Sequence, residues 1–472
     1  MNPYGACMTQ ATRERWVLGL TSLASLMVML DALIVTTALN AIRVDLGATL
    51  EQLEWTIDAY MLSFAVLLLT ATALGDRYGR RRLFLIGLAV FTLSSALCAM
   101  VGGIGWLVAA RVVQGAGAAM VMPHAMALLG AGIPAERRAR ALGLFSSISG
   151  LATLGGPLIG GLVVEGLAWQ WIFWINVPIG LVLLALVRPR LEESSGSGAR
   201  LDAAGLLLAA MAAFGLAWGL VRGNVAGWGS AEVLATLIVG GVATLAFVAW
   251  ESQAPEPMLP LRYFRSRAFS AGNAAGFLLY GSMYGSVFFL AQFMQVALGR
   301  GPLQTGVLLL PLTATLLIVA PIAGAWVNRI GDRPLIVAGL LLEAIGLAWF
   351  GLIAGPGLPV VQIIGPLAVA GAGVSTAMPA VQNAVIGAVP RSEVGKASGT
   401  FTMLRQLGAA FSIAVLAAVF TDLGGYGTPQ QFAAGFTPAI GVAAALALAA
   451  AAAGLWIPGR NPLPTTQPVV TS

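Results

Sequence analysis

The sequence predicts an all-α polytopic membrane protein of fourteen spans, and three observations carry that prediction. First, 58% of the 472 residues are hydrophobic and only 9% are charged. A water-soluble domain carries about 25% charge to coat its surface, and a disordered chain would be far less apolar. Second, apolar runs of about 20 residues, long enough to cross a bilayer at ~1.5 Å per residue, recur along the whole chain. Third, with the N-terminus inside, twenty Arg and Lys fall in the inner segments and only Arg43, Arg222 and Arg300 in the outer ones. Such asymmetry is the positive-inside signature. The net charge of +6 is therefore a topology signal, and no nucleic-acid partner is expected.

Taken in order, residues 1–15 form a cytoplasmic tail. A first bundle of six spans, 16–188, has its spans starting near Trp16, Trp55, Leu83, Gly105, Ala139 and Trp171. Residues 189–200 (PRLEESSGSGAR) read as a flexible cytoplasmic linker. Two further spans, within 201–251, start near Leu201 and Ala231. Residues 252–268 then interleave Leu261, Tyr263 and Phe264 with arginines, a pattern expected to lie along the inner membrane surface. A second bundle of six, 269–457, starts its spans near Phe269, Leu303, Leu335, Val360, Ala397 and Phe432. Residues 458–472 form the cytoplasmic C-terminal tail. No cleavable leader is expected, because the first apolar run is too long and lacks a clear cleavage site. Cys7 and Cys98 make neither a disulfide framework nor a metal site, and His124 is the only histidine. No metal and no cofactor are expected, and no P-loop points to ATP.

The two bundles share an internal repeat. GAGAAMVMP at Gly115–Pro123 recurs as GAGVSTAMP at Gly371–Pro379. The same register aligns Pro134 with Pro390, Arg140 with Lys396 and Gly143 with Gly399, and LGDRYGRR around Asp76 is echoed by VNRIGDR around Asn328. Repeats on this scale mark a transporter built from two related bundles.

Five segments in order carry a resemblance to a known family: LDALIVTTALN, GDRYGRR, RVVQGAGAA, GGPLIGG and WQWIFWINVPIG. The chain resembles the major facilitator superfamily and, within it, the fourteen-span drug:proton antiporters, over nearly its whole length. That resemblance implies a major facilitator fold, two six-helix bundles plus two central helices. It also implies that Asp76, Arg77, Gly79, Arg80 and Arg81 form a cytoplasmic latch between the bundles. Gly156, Pro157, Gly160 and Gly161 would be the antiporter segment where the bundles meet. Thr72 stands where family members usually have glycine, and Asn328 replaces the aspartate in the second copy.

Buried charge is the sharpest functional signal, because an ionisable group at membrane depth costs at least ~2.5 kcal/mol. Counting from the span ends places Asp31 about 22 Å from the inner face and Arg111 about 9 Å from the outer face, depths that coincide in a ~30 Å core. Asp58 falls in the same outer layer. A carboxylate there changes its proton affinity with its distance from Arg111, so Asp31, Arg111 and Asp58 are the candidate proton-coupling residues; a static ion pair is the bland alternative. Gln114 shares the Arg111 face and is a candidate substrate-binding residue. His124, about 220° around the helix from Arg111, is better read as packed or substrate-tuning. Glu343 and Arg405 lie at similar depths in the second bundle and either pair or line it separately. Glu165 ends its span and reads as interfacial. Tyr280, Tyr284, Phe288 and Gln292 recur every four residues, a stripe that suits either helix packing or a cavity wall for a hydrophobic cation.

The leading expectation is a proton-driven antiporter, not an enzyme, that exports lipophilic, cationic drugs or antibiotics. Its partners would be the substrate, protons and the bilayer, and it would act as a monomer. A dedicated exporter of one metabolite or self-made antibiotic, and a proton-coupled importer, are the alternatives.

Overall fold

The computed structural model describes residues 10–195, 202–390 and 393–459. Cys7, Arg200, Arg391, Arg460 and the tail and linker residues around them lie outside the described residues. The first bundle comprises α1 (Gln10–Leu46), α2 (Leu50–Tyr78), α3 (Arg80–Met100), α4 (Ile104–Gly132), α5 (Ala135–Gly166) and α6 (Trp171–Arg190). Two central helices follow, α7 (Ala203–Ala226) and α8 (Ala231–Gln253), then a 3-10 turn at Leu261–Arg265. The second bundle opens with α9, Arg267–Gln292 continued by a π-helical turn Phe293–Ala297. Next is α10, in three pieces: Pro302–Leu308, Leu310–Thr313 and Thr315–Ile330. It closes with α11 (Asp332–Ile353), α12 (Val360–Gly387), α13 (Val394–Leu423) and α14 (Pro429–Leu455). Thirteen of these are long and apolar enough to cross a membrane among the described residues. By its place in the order α5 is the fourteenth, and its 32 residues exceed the ~20 a span needs.

Most helices begin a few residues before their apolar runs, and at some of them a polar cap fixes the start. The second span, expected from Trp55, starts at Leu50: Thr49 accepts the Gln52 N–H while the Gln52 side chain accepts from Thr49, a full capping box. The last, expected from Phe432, starts at Pro429, with Thr428 accepting the Gln431 N–H. Asp202 caps α7 in the same way through Gly205.

Fourteen crossings return the chain to the face it started from. That face carries Arg13, Arg80, Arg137, Arg262 and Arg333 and is called the arginine-rich face below; the opposite one is the far face. The repeat seen in sequence is a repeat of contacts. A methyl group on Gly117 would press on the Phe91 backbone, and one on Gly373 on the Glu343 backbone; Gly87 and Gly339 lie just as close to the carbonyls of Gly117 and Gly373. Gly115 sits against Tyr60 and Ser63 of α2, as Gly371 sits against Leu312 and Thr315 of α10. Each bundle thus packs one helix backbone-to-backbone between two others, as small residues permit where lipid gives no hydrophobic drive.

The bundles meet along α2–α13, α5–α10 and α1–α9. Towards the far face the join is tight. Gln295 donates to the Thr37 carbonyl at 2.9 Å, the Leu303 N–H donates to Glu165 at 2.9 Å, and Arg43 stacks over Tyr426 at 4.6 Å. Tyr426 in turn donates to Gln292; burial pushes its hydroxyl well above the ordinary range, so it stays a donor. Glu165, expected to be interfacial, is exposed at its span end and also bridges the bundles at the start of α10.

Of the two central helices, α7 leans on the seam and α8 packs on α7. Trp55 of α2 packs against Phe214 (5.9 Å) and Trp218 (5.5 Å) of α7, and Arg222 bridges Glu51 and Glu232 at the far face. At the other face Arg262 of the 3-10 turn pairs with Glu393, ahead of α13, and Tyr263 is buried edge-on to Phe269 at 5.4 Å. That segment is docked on the second bundle through its aromatic side chain.

Candidate functional site

Inside the first bundle, three helices deliver one polar cluster to an otherwise apolar interior. Asp31 of α1, Arg111 and Gln114 of α4 and Asn176 of α6 are all fully buried. The Arg111 guanidinium donates to Asp31 at 2.5 Å and to Gln114 at 2.8 Å, and its Nε donates to the Thr56 carbonyl at 3.0 Å. Gln114 and Asn176 each donate to the other Asp31 oxygen, at 2.9 and 2.8 Å. Asn176 also donates to Ser95, whose hydroxyl donates to the Phe173 carbonyl. The Tyr60 ring covers the guanidinium at 4.2 Å, a desolvated cation–π contact. Asp31 thus accepts three hydrogen bonds, the charge-assisted one from Arg111 the shortest. An Arg111 Nη2 donor and the Asn176 Oδ1 acceptor have no partner.

The depth arithmetic found the Asp31–Arg111 pair, and the shared helix face found Gln114, which bonds both members of the pair. Asn176, Ser95 and Tyr60 were missed, although an asparagine inside the apolar WINVPIG stretch is itself a polar-in-membrane signal. Asp58 is fully buried but not in this cluster, and neither of its oxygens has a partner. Thr56 and Tyr60 turn towards Arg111, and Asp58 lies about 180° from their mean direction on the same helix. Depth alone gave its layer and not its azimuth.

His124 is about 20 Å along α4 from Arg111. Its Nδ1 meets the Met120 carbonyl and its ring presses on Gly75, where no side chain would fit. On this face the α4 side chain that reaches α2 sits on Gly75, while Thr72 is bonded to the Leu68 carbonyl of its own helix at 2.9 Å.

The Asp76 loop turns at Gly79, whose φ of 110° favours glycine. Asp76 receives Arg80 at 2.8 Å. Arg81 donates to the Leu191 carbonyl at 2.8 Å, its N–H and the Arg80 N–H are taken by Glu193 and Ser194, and Arg77 stacks on Tyr78 at 5.3 Å. These contacts fasten the loop to the segment that leaves the first bundle, so the start of the expected flexible linker is held here, and the contacts made by Asp76, Arg80 and Arg81 stay within the first bundle and its exit.

Gly156 and Gly160 of α5 sit against Leu33 and Thr37 of α1, whereas Gly161 abuts Pro302 of α10, and Gly306 of α10 faces the Pro157 carbonyl. One small-residue segment therefore seats α5 on its own bundle with one edge and on the second bundle with the other. Beside it lies an apolar cavity of ≈ 30 Å³, lined by Leu33, Pro157, Met283, Val287, Val374 and Met378 among others. It holds about one water, against the ~300 Å³ or more of a drug site, so the bundles must part here to admit a substrate. From α9 the wall takes Met283 and Val287, one position before Tyr284 and Phe288. Tyr280 instead stacks on Phe401 (6.2 Å) under Arg405 (5.0 Å), and Gln292 serves the far-face join. Glu343 is buried with both oxygens free of partners, so it does not pair with Arg405.

With this geometry in hand, a family model of the Major Facilitator Superfamily matches residues 21–270 and 272–471. The chain belongs to the major facilitator superfamily. Among solved structures, a POT family transporter matches with a TM-score of 0.71 at 14% identity, over 92% of this chain and 94% of that one. The xylose transporter XylE from E. coli matches with 0.62 at 13% identity, over 92% and 98%; both likenesses concern the fold. Curated relatives in the superfamily are closer in sequence. The tetracenomycin C resistance and export protein of Streptomyces glaucescens is 34% identical over 93% of this chain and 82% of its own length. The multidrug resistance protein Stp of Mycobacterium tuberculosis is 35% identical over 84% and 74%. The cephamycin export protein CmcT of Amycolatopsis lactamdurans is 35% identical over 89% and 88%.

Proposed function

We propose that the chain exports lipophilic drugs or antibiotics, cationic ones among them, across the cytoplasmic membrane in exchange for protons, with both termini cytoplasmic and as a monomer. The observation that carries this reading is the Asp31–Arg111–Gln114–Asn176 cluster, a charged pair fully buried in a chain whose relatives are named as drug and antibiotic exporters. When Asp31 gains a proton it loses its claim on Arg111, and the spare Nη2 donor and Asn176 acceptor allow the cluster to re-pair. Because α1 and α4 belong to one bundle and α1 also meets α5 and α9, that re-pairing biases the seam between bundles. The apolar, methionine-bearing wall at the seam suits lipophilic molecules of varied shape.

Relatives named for tetracenomycin C and cephamycin favour a second reading, a dedicated exporter of one antibiotic. Growth inhibition of a pump-deficient host across a drug panel separates the two: a broad shift marks a multidrug pump, a single shift a dedicated one. Energised inverted vesicles should accumulate the substrate while whole cells exclude it. Accumulation in whole cells would make the protein an importer and end this proposal.

A further inference from the structure

Asp58 has a neighbour of the same kind. Glu54 lies one turn nearer the far face on α2, is only 3% exposed, and leaves its Oε2 without a partner. Spacing of four residues puts the two carboxyls on one helix face, about 6 Å apart along the axis. That face is the seam. Leu69, on the same stripe of α2, is the side chain a methyl on Gly399 of α13 would strike, so the stripe looks onto the second bundle. The Arg111 cluster is on the opposite side of α2 and supplies neither acid with a cation.

What surrounds Glu54 is the far-face join. Glu54 lies within electrostatic reach of Tyr426, which donates to Gln292 and lies under Arg43. Glu51, one turn further out, is already paired with Arg222 at 3.4 Å. The titratable and charged groups around Glu54 are thus Asp58, Glu51, Tyr426 and Arg43, with Arg43 engaged on the tyrosine ring. An uncompensated charge at this depth is expensive, and neither acid has a cation of its own in this closed state. Parting the bundles at the far face would remove Tyr426 and let water reach Glu54 first and Asp58 second.

We infer that Glu54 and Asp58 form a two-step proton ladder in the α2–α13 seam, with Glu54 the group that exchanges protons with far-side water when the Gln292–Tyr426–Arg43 join opens. This rests on the proton-coupled reading. The ladder loads from the far side and is separate from Asp31, which senses the proton inside the first bundle. Closing the join seals the loaded proton from the side it entered.

The test uses the full-length protein in proteoliposomes and reads two quantities: proton-driven efflux of a transported dye, and dye–dye exchange with no pH gradient. Glu54→Gln should lower proton-driven efflux by about 10²-fold, the usual weight of a positioned proton carrier, while exchange stays near wild type. Glu54→Asp should recover most of the efflux. Wild-type efflux in Glu54→Gln overturns the ladder, and so does loss of exchange as well as efflux in both variants, which marks a structural role. If the wild-type protein itself shows no pH-driven efflux, the proton-coupled reading fails rather than the placement of Glu54.

Discussion

At the scale of single residues, the account turns on which buried charges have partners. Asp31 has three donors, and removing its charge leaves Arg111 uncompensated in an apolar bundle, a change that costs about 3 kcal/mol or more. Asp31→Asn should therefore abolish proton-driven export and lower thermal stability, while Asp31→Asn with Arg111→Gln regains stability and stays uncoupled. Melting curves beside transport assays check this; a double variant that regains transport would make the pair a structural strut. Sequence arithmetic reached this pair because helix rise is constant, so charges on different spans can be compared by depth. The same arithmetic gave Asp58 its layer and left open which side of α2 it takes, since rise says nothing about azimuth. It missed Asn176 because an uncharged amide costs less in a membrane and stands out less.

At the scale of elements, glycines decide what can move. Gly161 lies so close to Pro302 that any larger side chain must push α5 and α10 apart. Gly161→Leu should splay the far-face join and reduce cross-linking between Thr37→Cys and Gln295→Cys, a pair whose native side-chain-to-carbonyl contact is 2.9 Å. Undiminished cross-linking would mean that α5 does not set the join. At the other face, Asp76→Asn loses the Arg80 pair and loosens the turn that Arg81 fastens to Leu191. Turnover should fall several-fold as the populations of the two states shift, and distance measurements between the arginine-rich ends of α4 and α12 would report the shift. Identical distance distributions in wild type and variant would remove the loop from the switching machinery. The latch segment was plain in GDRYGRR, but its partners Leu191–Ser194 were not, because a Gly/Ser-containing linker carries no pattern that says where it docks. The aromatic stripe on α9 was equally plain, and four-residue spacing could not say that Met283 and Val287, rather than Tyr284, would face the cavity.

At the scale of the whole molecule, the six–two–six order, the repeat and the family were readable because bilayer thickness and small-residue packing constrain sequence strongly. The conformational state was not readable, since both states of a rocking transporter satisfy the same hydropathy. Here the far ends are joined and the seam cavity holds about one water, so the central claim is that protonation of Asp31 and binding of substrate exclude one another across this seam. The measurement that tests it most directly is proton release from the detergent-solubilised protein on addition of a transported, non-titrating substrate. Wild type should release protons on binding, and Asp31→Asn should bind substrate with that release lost. Release of the same size from Asp31→Asn would contradict the account.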